Sequence, residues 1–315
     1  MYKNTTRSCM EKGYAMQNKY YDVYLHGQIL GTHSFYLRDG FPVPDEYSEL
    51  RAKYFLPGGE TGTAATVLAS LGVRVRMDGT HIGTEVAPML QKFYKNKSVD
   101  LNSLYYDEEY QGLMDYVLVS GLDRTPMGFF QSDFYNNEKP WNMPKEGDIV
   151  TAKVAGIDPF FGEASVMAAE LCKEHEVPYV TIDSPHGSFL HQNAAINVVS
   201  KECLGQNYAG IPKEEVFRLL AETSDGLIII TTGANDMIYG RRSTGMHTMP
   251  VFKTDVKSTL GAGDTFKAGC IYALLNGYSD EETVRFASAC ASIAISRYPL
   301  PLNPPTLEEV RELLL

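Results

Sequence analysis

The sequence predicts an α/β fold: a mostly parallel sheet with helices on both faces and a small separate sheet beside it. Three observations predict it. Largely apolar runs such as "YDVYLHGQIL", "PYVTIDSP" and "GLIIITTGAND" read as strands buried on both faces. Helical stretches such as "TGTAATVLASLG", "GEASVMAAELCKEHEV" and "EEVFRLLAETS" alternate with them. The segments near 33–56 and 105–127 break that alternation with short runs rich in Tyr, Phe and Pro, which suit a small sheet over the site.

Each element has a local reason. Gly27 ends the first strand, and Gly72 closes the small-residue helix at its C-terminus. "VRVRMDGTHIG" is a strand and a loop, and "MDYVLVSGLDRTP" is a strand, a Gly turn and a polar exit, as in a hairpin. Ser279 with Glu282, and Thr306 with Glu309, have capping-box spacing and mark two late helices. In a parallel sheet, ligands bind at the C-terminal strand ends, where loops at Asp183, Gly233 and Gly261 are placed.

Bulk properties narrow the function. The 315 residues suit one large domain, 21–315, after a polar tail at 1–20 without the apolar core of a signal peptide. Hydrophobic content of 44% and charged content of 21% are ordinary globular values. A net charge of −11 argues against nucleic acid or an anionic membrane as the main partner, and no apolar run is long enough to span a bilayer. The scattered cysteines Cys9, Cys172, Cys203, Cys270 and Cys290 fit free thiols in a reducing cytoplasm, with Cys270 and Cys290 in the core. His186 and His191 have poor zinc spacing. Trp141, in a Pro-flanked loop, has no assignment.

The chemistry concentrates in "KSTLGAGDTFKAGC". Phe266, Cys270, Ile271, Leu274 and Leu275 form one helical face, which puts Gly261, Ala262 and Gly263 at the helix N-terminus. Unpaired amides and the positive dipole end there suit an anion. Asp264 would repel that anion unless it acts on a neighbour, such as a hydroxyl attacking a phosphoryl group, whose proton it would take. The competing reading is a plain turn with Asp264 as N-cap. A Walker loop is excluded because no Gly-Lys pair occurs. A dinucleotide fingerprint is excluded because Phe266 stands where a third glycine belongs. Lys267, in the same turn, reads as a side chain snorkelling to water rather than a phosphate contact.

"STLGAGDTFKAG" resembles the C-terminal signature of the ribokinase-like (PfkB) carbohydrate kinases. "PGGETGTAATVLASLG", "LVSGLDRTP", "YVTIDSP" and "IIITTGAND" are similar, in order and spacing, to the family's other segments from about residue 21 to 315. The resemblance implies a three-layer sandwich with a β-sheet lid and ATP-dependent transfer to a substrate hydroxyl, usually a sugar's, with magnesium. Asp264 would be the base and the Gly261, Ala262 and Gly263 backbone the anion hole. Thr231 and Gly233 would lie along the nucleotide. Gly58 and Gly59 would contact the acceptor, with Asp183 between the two substrates. A homodimer through the lid is compatible with this layout.

Several positions depart from the family. Five residues after Gly27, where many members have an acid, stands Thr32. Four after Gly59, where asparagine is usual, stands Thr63. Thr32 and Thr63 would therefore grip a sugar diol differently. Ser258 stands where an acid supports a monovalent-cation site in some members, which speaks against potassium activation. Glu202 answers to the acid that holds metal-bound water, but Val199 occupies the place of its asparagine partner. Asp236 replaces a glycine three after Gly233. Phe35, Tyr36 and Tyr54 keep a nucleoside kinase open. The losses at 32, 63 and 258 keep open a non-catalytic, ligand-binding member of the fold.

Overall fold

The computed structural model describes residues 21–129 and 140–315; the polar tail and Cys9 lie outside them. The strands are Val23–Gly27 (β1), Leu30–Leu37 (β2), Leu50–Gly58 (β3), Val75–Gly79 (β4), Val99–Asp100 (β5), Met114–Ser120 (β6) and Asp123–Gly128 (β7). After these come Val154–Ile157 (β8), Tyr179–Ile182 (β9), Ile196–Val199 (β10), Leu227–Thr232 (β11), Asn235–Arg241 (β12) and Gly245–Met249 (β13). The helices are Gly59–Ser70 (α1), Val86–Tyr94 (α2), Glu146–Ile149 (α3), Glu163–Glu174 (α4) and Phe189–Asn193 (α5). Lys201–Asn207 (α6), Lys213–Ala221 (α7), Ala262–Leu275 (α8), Asp280–Ile295 (α9) and Leu307–Leu314 (α10) complete them.

Among the described residues the strands form two sheets. The large one has nine strands in the order β13-β12-β11-β10-β9-β8-β1-β4-β5. From β5 to β11 every neighbouring pair is parallel, and β12 and β13 return antiparallel. Alternation along each strand divides the core between two faces. Val23 and Leu25 of β1 pack with Leu68 of α1, Ile271 of α8 and Val284 of α9. Tyr24 between them packs with Ala168 and Cys172 of α4. On β11, Leu227 and Ile229 join the first face, while Ile228 and Ile230 meet Val216, Phe217 and Leu220 of α7. Each such aliphatic side chain, fully buried, contributes about 1.5–3 kcal/mol. Cys270 and Cys290 are in this core, and both late capping boxes are formed.

The small sheet runs β3-β2-β6-β7. It draws on both segments that break the alternation, with shifted bounds: β2 starts at Leu30, and β6 only at Met114. One further expectation is corrected. Gly261 does not follow a strand end directly, because the chain from 250 to 260 is irregular between β13 and α8. Gly233 lies in the turn between β11 and β12, too short a link for a crossover helix. Trp141 stacks on Phe161 with ring centroids 4.9 Å apart. The His191 Nε2 lies 3.0 Å from the Leu220 carbonyl, a contact internal to the fold.

Candidate active site

The small sheet covers a cavity of about 190 Å³ above the sheet edge where β1 ends and α1 and α8 begin. Thr32 and Ser34 of β2 and Asp115 of β6 face it from the lid. Strand alternation selects them, and it turns His33 and Tyr116 to the opposite face, where their rings stack 5.2 Å apart. Gly58, Glu60 and Thr63 face it from the β3–α1 junction. A Cβ on Gly58 would lie 1.9 Å from the Thr32 hydroxyl oxygen, so only glycine lets lid and junction close here.

Gly261 and Asp264 form the floor. Gly261 is the N-cap of α8 at φ 79°, a left-handed conformation that favours glycine. Asp264 is therefore the third residue inside the helix and not its cap. The Ala262 amide lies 3.3 Å from the Thr259 carbonyl, while helix geometry leaves the amides of Gly263 and Asp264 without intrahelical acceptors. Anion-binding amides and a carboxylate thus occur on one helical turn, beside the cavity.

Lys267 corrects the expectation of a snorkelling side chain. It is wholly buried and forms an ion pair with Asp158, which is also wholly buried. Its position one turn below Asp264 faces the helix inward, against the end of β8, so water is out of reach. Asp158 also accepts hydrogen bonds from the Gln28 amide at 2.9 Å and the Thr61 hydroxyl at 3.0 Å. Glu60 completes the cluster, with its Oε2 buried and no partner for it among the described residues. Burial first, then Asp158 and Asp264, hold the Glu60 carboxyl well above the usual carboxylate range. Burial also pushes Asp264 up to about 6, against the downward pull of Lys267, Arg124 and the Thr63 hydroxyl.

Asp115 reaches about the same value by a simpler route. Burial raises it to about 6, and the hydroxyl of its cross-strand neighbour Thr32 pulls the other way. Its Oδ1 is buried with no partner among the described residues.

Of the remaining expected residues, Gly59 and Ser258 also line the cavity, whereas Asp183, Thr231, Gly233 and Glu202 lie away from it. Asp183 has φ 54°, and its carboxylate accepts from the Ser200 amide at 2.7 Å and the Ser200 hydroxyl at 2.8 Å. It thereby anchors the start of α6 and does not line the cavity. The Thr231 hydroxyl donates to the Val199 carbonyl at 3.2 Å, and Gly233 is exposed in its turn beside Lys201. Glu202 is 66% exposed, and Arg124 of β7 lies 3.8 Å from it. Arg124 also donates to the Thr259 hydroxyl at 2.8 Å, so it ties the lid to the loop before α8. Ser258 is buried, and its hydroxyl oxygen accepts from the Leu260 amide at 3.3 Å. No cluster of three metal-ligating side chains occurs among the described residues.

The pfkB family carbohydrate kinase model matches residues 38–306. The chain belongs to the pfkB family of carbohydrate kinases. This family member is 21% identical over 293 residues to the 5-dehydro-2-deoxygluconokinase of Bacillus licheniformis, covering 86% of this chain and 90% of that one. It is 33% identical over 101 residues to the enzyme of the same name from Shouchella clausii, a match spanning 32% of this chain and 31% of the relative. The fold is similar to that of an Arabidopsis thaliana ribokinase complexed with ribose and ATP, with a TM-score of 0.75 and 17% identity over 93% and 98% of the two chains. A nucleoside kinase of Methanocaldococcus jannaschii matches with a TM-score of 0.74 and 17% identity over 95% and 99%.

Sequence reasoning passed over four acids and bases of this kinase: Glu60, Asp115, Asp158 and Lys267 as a partner. A signal was present for one of them. Asp115 is an acid in the otherwise apolar strand "MDYVLVS", where acids are disfavoured unless they do something. The pairing of Lys267 with Asp158 joins positions 109 apart in the chain and left no local trace.

Proposed function

We propose that this kinase transfers the γ-phosphoryl group of ATP to a hydroxyl of a small sugar or sugar derivative held in the cavity under the lid. The observation that carries the reading is Asp264 on the cavity floor, in the same helical turn as the amides of Gly263 and Asp264. The acceptor oxygen attacks the γ-phosphorus and gives its proton to the Asp264 carboxylate. The bond from the γ-phosphorus to the β,γ-bridging oxygen breaks, and ADP leaves. Of the expected Gly261–Gly263 anion hole, the Ala262 amide is turned to the Thr259 carbonyl, so the free amides of Gly263 and Asp264 steady the charge on the transferred group, which is most of the catalysis in this reaction class. Thr231 and Gly233 would line the approach to the nucleotide, and Glu202 would hold magnesium through water. Magnesium would neutralise charge on the β- and γ-phosphates.

Gly58, Gly59, Thr32 and Thr63 shape the acceptor side, while Asp183 supports the loop beneath. Tyr36 and Tyr54 of the lid pack against Tyr298, with centroids 5.1 and 5.9 Å away. They close the rim rather than present free faces to a base, which favours a sugar over a nucleoside. The curated relatives are named for 5-dehydro-2-deoxygluconate, a sugar acid. The test is sugar-dependent ADP release across neutral sugars, amino sugars, sugar acids and nucleosides. Asp264→Asn lowers kcat by about 10²–10⁴-fold, the usual contribution of a general base. Full turnover by that variant on a good acceptor rules out the assignment.

A further inference from the structure

The acceptor cavity has an unusual balance of charge, and it bears on which sugar enters. Three carboxyl groups face it: Asp115 from the lid, Glu60 from the start of α1 and Asp264 from the floor. Two of them, Asp115 and Glu60, each have a buried oxygen without a partner among the described residues. The described cations nearby are already committed. Arg297 lines the cavity, but both its terminal nitrogens hold Glu309, at 3.2 and 2.5 Å. Lys267 is paired with Asp158. Arg124 is held by Thr259 and Glu202 on the side of the α8 amides.

Thr32 brings no charge to the cavity, but its cross-strand partner is Asp115. The carboxylate therefore enters the same cavity from the adjacent strand, with the Thr32 and Ser34 hydroxyls on the same face of the lid. A carboxylate oxygen that is buried and unpaired calls for a donor. A sugar supplies donors as hydroxyls or as an amine. A sugar acid would bring a fourth carboxyl into a cavity with no uncommitted cation among the described residues.

We infer that Asp115 is a specificity-determining residue that holds hydroxyl or amine donors of the acceptor. The acceptor is accordingly a neutral or amine-bearing sugar rather than a sugar acid. This rests on the kinase reading and departs from the substrate for which the curated relatives are named. Asp115 faces the cavity from the lid and Asp264 from the start of α8, so Asp115 acts on acceptor binding and leaves the phosphoryl step to Asp264.

The experiment uses sets matched in carbon skeleton: glucose, glucosamine and gluconate, and ribose with ribonate. Thermal shift reports binding, and ATP-dependent ADP release reports turnover. The neutral or amino member should give the larger thermal shift and a kcat/KM at least about 100-fold above the acid, as expected for a site built around donors. Asp115→Asn should raise KM by about tenfold or more with kcat within about threefold, and Asp115→Glu should restore part of the loss. A sugar acid that shifts or reacts best overturns the inference, as does an unchanged KM in a folded Asp115→Asn protein. If no sugar releases ADP, the kinase reading fails; the thermal shifts then still decide between sugar and sugar acid, and no shift with any neutral or amino sugar overturns the inference.

Discussion

The roof and the floor of the cavity each carry an aspartate displaced to about 6, and they reach that value in different company. Asp115 in the roof stands alone with Thr32, so burial is opposed only by one hydroxyl and the local backbone. Asp264 in the floor sits in a network of Glu60, Asp158, Lys267 and Arg124, in which burial and like charges are offset by two cations. An isolated acid can be neutralised without structural consequence. A networked acid cannot, because its nearest cation, Lys267, is buried and shared with Asp158. The roof is therefore free to vary with the acceptor, while the floor resists change.

The largest test of this contrast is Lys267→Met. It leaves Asp158 buried without its cation, and the loss of stability should be about 3–5 kcal/mol in urea unfolding. In whatever fraction folds, the acid limb of the kcat profile should move to higher pH, since Lys267 lowers the Asp264 value. A loss below about 1 kcal/mol would mean that the floor is not a network.

Asp115→Asn should do the opposite. The folded-state value of Asp115 lies above its ordinary 3.8, so the folded protein holds the proton more tightly than the unfolded chain. Stability from this group is present below pH 3.8 and is lost as pH rises toward about 6. Asparagine removes that loss. The variant should be more stable than the parent at pH 8, by up to about 3 kcal/mol, with no gain at pH 3.5. Glu60→Gln should follow the same sign, with a melting-temperature gain that grows with pH, because burial raises Glu60 as well.

In the parent enzyme, kcat should fall as pH drops through about 6, since Asp264 must be ionised to take the acceptor proton. A flat kcat from pH 5 to 8 would exclude it as the titrating base. The smallest effects come from the two threonines. Thr63→Val should raise the acid limb of kcat, and Thr32→Val the acid limb of 1/KM, each by less than about one pH unit. Crossed effects would show that roof and floor are coupled.

Much of the architecture was legible because it is periodic. The apolar runs of β1, β9 and β11, the small-residue α1 and the two capping boxes carry their structure in local spacing. The helix start at Gly261 was legible for the same reason, and with it the placement of Asp264 beside bare amides. Reading Lys267 as solvent-seeking failed because a one-dimensional pattern shows which helical position a residue takes, not what is packed against it.

The chain by itself thus determined the family fold, the Gly-Ala-Gly-Asp turn and the presence of threonine at positions 32 and 63. Only the tertiary structure decided that Asp115 enters the cavity under the lid beside Thr32, that Lys267 turns inward to Asp158, and that Arg297 is taken by Glu309. The physical reason is reach. Backbone patterns act over a few residues, whereas charges buried together interact through space, and their protonation follows from neighbours that folding brings from distant parts of the chain.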